Sequence, residues 1–261
     1  MTGERVRARV FGVVADENDR IRPGYPTALI DDVLAYAGPG GAPALDVGAG
    51  TGRATVAFAE RGVAVTAVEP DEAMAAVLAR RMAGHPDVTV EVAAFEDYAP
   101  PRPFGLLFSG QAWHWTDPAV RWERAAAALA PGGALALFWN GHCPADPDVL
   151  AAIVAAHRTY APGIDTAVEI DPEPTTEAEL AVSWPHTELD LLPQFGELSE
   201  RLYRWERKLS TVDYVAYLST KSANRMLTEQ ARSDLFGAIV DSAGPQVTLS
   251  METLLYLARR Q

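Results

Sequence analysis

A glycine-rich turn between an apolar run and a helix-like segment constrains the fold of this chain more than any other feature. Residues Leu45–Arg53 read LDVGAGTGR, with glycines at positions 48, 50 and 52. Glycine lets the backbone approach a bound molecule closely, and the N-terminus of the following helix presents N–H groups beside it. The segment therefore predicts a strand, a tight turn and a helix around a nucleotide-type site.

From Pro43 to Asn140 the chain alternates short β-rich apolar runs with alanine-rich segments. This alternation is typical of a parallel sheet covered by helices. We predict an α/β fold, a doubly wound seven-stranded sheet that is mostly parallel with an antiparallel C-terminal strand, plus a small inserted cap. The predicted strands are 43–47, 63–68, 88–92, 104–108, 134–139, 201–209 and 247–258, and helices are predicted at 27–36, at 149–160 and around Tyr214 and Leu235.

A length of 261 residues suits one α/β domain with an elaboration, so we expect a single domain over 1–261. The segment RPGYP at 22–26 has two prolines around a glycine, which predicts an irregular turn at the end of an N-terminal lid, 1–26. A proline-punctuated stretch follows the fifth strand. We interpret about 142–198 as an inserted cap over the substrate.

The charge balance bears on the class of partner. Asp and Glu number 35 against 22 Lys and Arg, which gives a net charge of −13. Because nucleic-acid binding relies on a basic surface, we expect no nucleic-acid partner and favour a small-molecule substrate. Uninterrupted apolar runs are too short to span a bilayer, so no membrane partner is expected. The oligomeric state stays open, with a homodimer as one alternative.

Cys143 is the only cysteine, so an intrachain disulfide is excluded and a reducing compartment is expected. The N-terminus lacks the apolar stretch of a secretory signal, and we expect a cytoplasmic protein. His142 stands beside Cys143, but no second pair occurs at ligand spacing. We therefore expect no metal.

An acidic residue follows the second predicted strand. Glu69 lies about 20 residues beyond the glycines, where a carboxylate accepts hydrogen bonds from ribose hydroxyls. A dinucleotide fingerprint would need a glycine where Arg53 stands, and no P-loop sequence is present. The carboxylate of Asp46 would repel a pyrophosphate but attract an ammonium or sulfonium group. The pattern indicates a nucleoside that carries positive charge.

These residues resemble motif I and the acidic second-strand end of class I, Rossmann-like S-adenosylmethionine-dependent methyltransferases. The resemblance continues through AFE at 94–96, SGQAWHW at 109–115 and LAPGG at 129–133, and it covers nearly the whole chain. The Arg22-Pro23 turn and the His114-Trp115 pair resemble the branch that contains trans-aconitate methyltransferases and related small-molecule enzymes. The resemblance implies S-adenosyl-L-methionine as cofactor and a role in secondary metabolism.

The resemblance also implies a role for each matching residue. It implies backbone contacts to the methionine part of the cofactor, a carboxylate on the ribose, apolar contacts along the adenine and an arginine on the cofactor carboxylate. Gly48, Ala49 and Gly50 would make the backbone contacts, with Asp46 orienting their loop, and Glu69 would hold the ribose. Pro70 and Met74 would lie along one edge of the adenine, with Ala94, Phe95 and Glu96 along the other edge. Arg22 would pair with the cofactor carboxylate. Ser109 and Gln111 would lie where the fourth strand passes the sulfonium. Helix capping by Asp46 and core packing by Phe95 are open alternatives.

Trp113 and His114 are the candidate catalytic residues. They follow the fourth strand, on the side of an open sheet where ligands bind. His114 has a near-neutral ordinary pKa that suits a proton acceptor, or it could hold the acceptor oxygens together with Trp113. The alternative for Trp113 and His114 is packing beneath the cap.

The predicted function is methyl transfer from S-adenosylmethionine to a small molecule, with the acceptor atom, oxygen, nitrogen or carbon, left open. Two alternatives use the same binding motif. One is a cyclase or isomerase that retains the bound cofactor without methylating, and the other is a regulatory binding module. An enclosed reaction site disfavours the second.

Overall fold

A computed structural model of the chain describes residues 20–38, 43–164, 170 and 174–261. Residues 1–19, which make up most of the predicted N-terminal lid, lie outside the described residues, as does part of the predicted cap.

The described strands form a seven-stranded sheet in the order β3-β2-β1-β4-β5-β7-β6. Strands β1 to β5 pair in parallel, and β7 pairs antiparallel with both β5 and β6. The predicted fold class is confirmed. The strands are β1 Ala44–Val47, β2 Val65–Val68, β3 Val88–Glu91, β4 Phe104–Gly110, β5 Leu129–Pro144, β6 Phe195–Ser210 and β7 Gln246–Arg260.

Helices cover both faces of this sheet. The described α-helices are α1 Thr27–Ala37, α2 Arg53–Ala59, α3 Glu72–Arg81, α4 Arg121–Ala128, α5 Pro147–Tyr160, α6 Glu177–Leu180, α7 His186–Leu189, α8 Thr211–Ser219, α9 Ser222–Arg225 and α10 Glu229–Ser242. Short 3₁₀ helices occupy Met82–Gly84, Phe95–Asp97 and Trp113–Trp115.

The central strands are apolar on both faces because helices bury each side. Leu107 of β4 and Leu135 of β5 belong to one core cluster, which also contains Trp113 and Trp122. The alternate positions of the same strands belong to a second cluster, where Phe108 stacks on Phe58 of α2 at 4.1 Å between ring centroids. Since successive side chains of a strand point to opposite faces and both faces are buried here, residues 104–108 and 134–139 are almost entirely apolar.

Strand β5 is longer than the predicted 134–139. Beyond Gly110, where β4 ends, β5 continues to pair with β7 alone, up to Pro144 opposite Leu249. Polar residues and a glycine at 140–142 hide this extension in the sequence, whereas the long antiparallel partner stabilises it. Strand β6 likewise begins at Phe195, ahead of the predicted 201. The segment inserted between the two strands is therefore 145–194.

A chain of side-chain hydrogen bonds links the C-terminal strands to the segment before α1. The indole of Trp205 donates to the Thr253 hydroxyl at 3.0 Å, and that hydroxyl donates to Asn140 Oδ1 at 2.7 Å. Asn140 Nδ2 in turn donates to the carbonyl of Gly24 at 3.0 Å. Three strands thus fix the turn that precedes α1.

Replacing Thr253 by valine tests this chain of hydrogen bonds. The loss of the hydroxyl leaves the Trp205 indole and the Asn140 amide oxygen without their partner, so we expect a loss of about 1–3 kcal/mol in unfolding free energy. Urea denaturation measures it. Thr248→Val on the same strand is the matched control and should change stability by less than about 0.5 kcal/mol. Equal effects of the two substitutions would contradict the assignment.

Candidate functional site

A cavity of about 600 Å³ opens at the carboxyl ends of β1, β4 and β5. The strand order reverses between β1 and β4, which is where open α/β sheets bind ligands. Most of the predicted site residues line it, namely Arg22, Gly48, Ala49, Gly50, Glu69, Pro70, Met74, Ala94, Phe95, Glu96, Gln111 and His114. Residues predicted from separate motifs are thus brought to one cavity.

Three predicted site residues, Asp46, Ser109 and Trp113, lie beneath the cavity wall. Asp46 is buried, and its Oδ2 accepts from the Thr55 hydroxyl at 2.7 Å. The buried hydroxyl of Ser109 donates to the carbonyl of Val47 at 2.7 Å, which ties β4 to β1 just before the glycine loop. Both residues support the loop from below.

The prediction that Trp113 is a catalytic residue disagrees with its position in the core. Its side chain is 0% exposed and packs at 5.5 Å from Phe95 and 5.3 Å from Trp122, between ring centroids. Successive side chains of a 3₁₀ helix point about a third of a turn apart. His114 therefore faces the cavity while Trp113 faces the core. A catalytic contact from Trp113 does not fit this position, and its ring supports Phe95 instead.

The three glycines of the loop have positive φ angles, but they serve different purposes. A Cβ at Gly48 would lie 2.4 Å from Cβ of Ala112, and one at Gly52 would lie 2.3 Å from Cδ1 of Leu78. These two positions are glycine because protein atoms fill the space. A Cβ at Gly50 would meet no protein atom within 4 Å, although Gly50 lines the cavity. Gly50 thus leaves a backbone cradle open to a ligand.

The carboxylate of Glu69 joins the loops that follow β1 and β2. Its Oε2 accepts from the N–H of Gly50 at 2.8 Å, and its Oε1 accepts from the N–H of Asp71 at 2.9 Å. Asp71 then caps α3 by accepting from the N–H groups of Ala73 and Met74. Each oxygen of Glu69 retains acceptor capacity for a ligand hydroxyl.

Burial raises the pKa of two carboxyl groups at this end of the cavity. Desolvation raises the pKa of Glu69 to about 7 against the opposing hydrogen bonds from Asp71 and Gly50. Desolvation also raises the pKa of Asp46 to about 7, with the hydrogen bond from Thr55 opposing it. Oδ1 of Asp46 is buried without a hydrogen-bond partner in the described part of the chain. This end suits hydroxyl donors and positive charge.

Another part of the cavity lining carries positive charge around Tyr217. Arg22 donates from Nε to the Thr220 hydroxyl at 2.8 Å and from Nη2 to the Thr220 carbonyl at 2.7 Å. Its guanidinium carbon lies 5.9 Å from the centroid of Tyr217, and Nζ of Lys221 lies 5.6 Å from the same centroid. A ligand carboxylate fits here. The cavity is therefore polarised to match a zwitterionic ligand.

Sequence reasoning did not assign Tyr217, Lys221 or Ser222 to the site, although all three line the cavity. They belong to α8, the turn after it and the start of α9, more than a hundred residues beyond the glycine loop. The sequence held one signal of their importance, namely that Lys221 is one of only two lysines in the chain.

Aromatic side chains form the wall around His114. The indole N–H of Trp139, another residue that sequence reasoning did not assign, donates to Nδ1 of His114 at 3.1 Å. The Trp115 ring lies 4.8 Å from the imidazole. The His114 side chain is exposed at the cavity, and crowding by the surrounding protein, which desolvates the ring, and then the charge of Arg121 lower its pKa to about 4. The imidazole is therefore neutral at pH 7.

The end of β4 is shaped by close backbone packing. A Cβ at Gly110 would lie 2.5 Å from the Tyr25 hydroxyl, so only glycine lets the segment before α1 cover this strand end. Gln111 follows with φ of 62°, an uncommon conformation for a residue with a side chain. Its Nε2 donates to the carbonyl of Asn140 at 2.9 Å, which holds the turn against β5.

Within the described residues, no group of three or more His, Cys, Asp or Glu side chains is placed to hold a metal ion. Over the same residues, every helix is too short or too polar to cross a membrane.

The strand order, the glycine loop after β1 and the buried carboxylate after β2 are typical of Rossmann-like folds. Residues 44–133 match the family model described as a methyltransferase domain. This segment contains the loop, Glu69 and His114. Over these residues the chain is similar to a methyltransferase domain.

Among curated proteins, the chain is similar to uncharacterized methyltransferases of Mycobacterium tuberculosis and Mycobacterium bovis. Each is 39% identical over 130 residues, which is 50% of this chain and 51% of the relative. The match thus spans about half the length of these curated relatives.

Among solved structures, one protein assigned as a type II methyltransferase, from Anaeromyxobacter dehalogenans, is 27% identical with a TM-score of 0.65. The match covers 91% of this chain and 97% of that one. A methyltransferase from Geobacter sulfurreducens, solved with S-adenosyl-L-homocysteine, has a TM-score of 0.54 at 14% identity and covers 96% of this chain and 98% of its own. The second similarity concerns the fold alone.

The raised pKa of Asp46 predicts how stability depends on pH. A folded-state pKa near 7, above the ordinary value of 3.8, means that folding stabilises the protonated form. The stabilisation is complete below about pH 4 and is lost as pH rises through 7. Asp46→Asn removes the buried charge but can still hydrogen-bond to Thr55. We expect the variant to gain roughly 1–4 kcal/mol over the ligand-free wild type at pH 8, and much less at pH 5.

Urea denaturation at pH 5 and pH 8 measures this difference. Asp87→Asn, a change of the same type on the exposed turn before β3, should show no comparable dependence on pH. An Asp46→Asn effect of the same size at both pH values would contradict a raised pKa.

Proposed function

We propose that this chain is an S-adenosylmethionine-dependent methyltransferase that acts on a small-molecule acceptor. The observation that carries the proposal is a single cavity that joins the Gly50 cradle and the Glu69 carboxylate to the wall around His114. Its volume of about 600 Å³ lies in the range of small-molecule sites, and the cofactor would take part of it. The remaining space suits a compact acceptor.

The donor groups of the cavity fit this cofactor in charge and in shape. Glu69 would hold the ribose hydroxyls, and Pro70, Met74 and Phe95 would flank the adenine. Gly50 would allow close approach of the methionine part, whose carboxylate would face Arg22. The buried carboxylate of Asp46 favours positive charge near the loop. When bound, the cofactor supplies an electrophilic methyl group on a sulfonium sulfur.

The residues of the chain then have two tasks, alignment and exclusion of water. The turn after β4, held by Gln111 on Asn140, and the aromatic wall of Trp115 and Trp139 fix the space beside the glycine loop. Holding an acceptor in line can lower a barrier by up to about 7–11 kcal/mol, even without acid or base catalysis. The segment around Tyr25 covers one side of this space.

The branch of the methyltransferase family and its metabolic setting are also part of this proposal. The Arg22-Pro23 turn and the His114-Trp115 pair support similarity to the branch with trans-aconitate methyltransferases, and secondary metabolism is the setting that this branch suggests. The net charge of −13 supports a small-molecule acceptor over a nucleic acid.

Calorimetric titration tests cofactor binding. We expect S-adenosylmethionine and S-adenosylhomocysteine to bind with micromolar affinity, and Glu69→Ala to weaken binding at least about tenfold because the ribose loses its carboxylate partner. Gly50→Ala should also weaken binding, since its Cβ enters the cradle without meeting protein atoms and its φ of +58° strains alanine in the loop. Glu72→Ala, an exposed charge on α3, is the matched control. Absence of binding by the wild-type protein would overturn the proposal.

Methyl transfer itself is tested by detecting S-adenosylhomocysteine as a product with a panel of small-molecule acceptors. Formation of the product, dependent on acceptor, supports a methyltransferase. Conversion of an acceptor without any S-adenosylhomocysteine would instead identify a cyclase or isomerase that retains its cofactor.

A further inference from the structure

The hydrogen bond between Trp139 and His114 determines which imidazole nitrogen carries the proton. An indole N–H can only donate, so Nδ1 of His114, 3.1 Å from it, must present a lone pair. In a neutral imidazole the proton then resides on Nε2. Within the described part of the chain Nε2 has no hydrogen-bond partner, and His114 lines the cavity.

The same contact disfavours a protonated imidazole. A proton on Nδ1 would face the Trp139 N–H directly, and two donors cannot share one hydrogen bond. Independently of this contact, desolvation and then the charge of Arg121 lower the pKa of His114. The nitrogen that would have to take a proton from a substrate is already occupied by Trp139.

Trp139 is itself held by its surroundings. Its ring lies 5.3 Å from Trp184 of the inserted segment and 6.0 Å from Tyr256 of β7, both in edge-to-face geometry. Arg121 lies over Trp184 at 5.1 Å from the centroid and pairs with Glu188 at 2.8 Å. The direction of the indole N–H is thus fixed from two sides.

We propose that His114 contacts the substrate as a fixed hydrogen-bond donor through Nε2–H, and that Trp139 is the positioning residue that imposes this tautomer. This inference rests on the proposed function. It implies an acceptor with a hydrogen-bond-accepting oxygen that reacts without losing a proton to His114, such as a group already deprotonated at pH 7. The oxygen lone pair forms the new C–O bond while the methyl–sulfur bond breaks and its electron pair stays on sulfur.

Nitrogen-15 NMR of the imidazole side chains tests the tautomer without any substrate. The signals of His114 are assigned by their loss in His114→Ala. We expect a protonated-type shift for Nε2 and a lone-pair-type shift for Nδ1 at pH 7. The opposite tautomer, or an averaged pair of shifts, would overturn the inference.

Two tryptophan variants test whether Trp139 imposes this state. Trp139→Phe keeps an aromatic ring beside Trp184 but removes the N–H, and we expect the two nitrogen shifts to move towards a tautomer mixture. Trp115→Phe is the matched control, because Trp115 contacts the imidazole ring while Trp139 occupies Nδ1. Its spectrum should keep the wild-type pattern. Unchanged shifts in Trp139→Phe would remove its positioning role.

Once a methyl acceptor is known, turnover measurements distinguish a hydrogen-bond donor role of His114 from a general-base role. The amide N–H of glutamine can replace an Nε2–H donor but cannot accept a proton. We expect His114→Ala to lower kcat about 100-fold, as loss of one positioned donor does, and His114→Gln to recover at least about tenfold of it. Equal loss in both variants would overturn the donor role.

These measurements separate the two proposals. If the protein binds no S-adenosylmethionine, the proposed function fails while the NMR result on the tautomer still stands. If binding and methyl transfer occur but Nε2 carries no proton, the function holds and the donor role fails.

Discussion

The carboxylate of Glu69 ties the loop after β1 to the loop after β2, and the shape of the whole cavity depends on that tie. By accepting from the N–H groups of Gly50 and Asp71, it closes the cradle on one side and begins α3 on the other. A buried charge is costly, which explains why its pKa is raised and why two N–H donors are needed. In the ligand-free site this desolvation cost is only partly offset, and hydroxyl donors or positive charge on a ligand can offset it further.

The antiparallel pairing of β7 brings the second half of the site into place. Strand β7 lies between β5 and β6, so α8 to α10, which connect β6 to β7, return to the carboxyl edge of the parallel strands. Tyr217 and Lys221 thereby join a cavity whose other wall belongs to β1 and β2. The chain of hydrogen bonds through Thr253 and Asn140 fixes the segment before α1 to the same edge.

The loops around Gly50 and Glu69, which line the cavity, could be predicted from the sequence because their signals are local. Each residue there follows a strand by a few positions, and parallel strands buried on both faces are short apolar runs that the sequence displays directly. Gly48 and Glu69 needed no knowledge of distant contacts. Trp113 was misplaced for a related reason, since proximity to His114 in sequence does not reveal which of two neighbours faces the core.

The residues around His114 and Tyr217 could not be predicted in the same way. Trp139 ends the predicted fifth strand, but its hydrogen bond to His114 is a tertiary contact, and Tyr217 reaches the cavity through a connection far along the chain. Which nitrogen of His114 is available depends on the Trp139 indole, a tertiary contact. The sequence therefore predicts the cavity residues that follow the parallel strands better than those that reach the cavity through tertiary contacts.

The two walls of the cavity are encoded in largely separate stretches of the chain. The lining residues around Glu69 fall at positions 47–97, while Trp139, Tyr217 and Lys221 come from β5 and the connection between β6 and β7. Insertions or exchanges in the later stretch can therefore reshape the cavity around Trp139 and Tyr217 while the glycine loop and the Glu69 carboxylate keep their places.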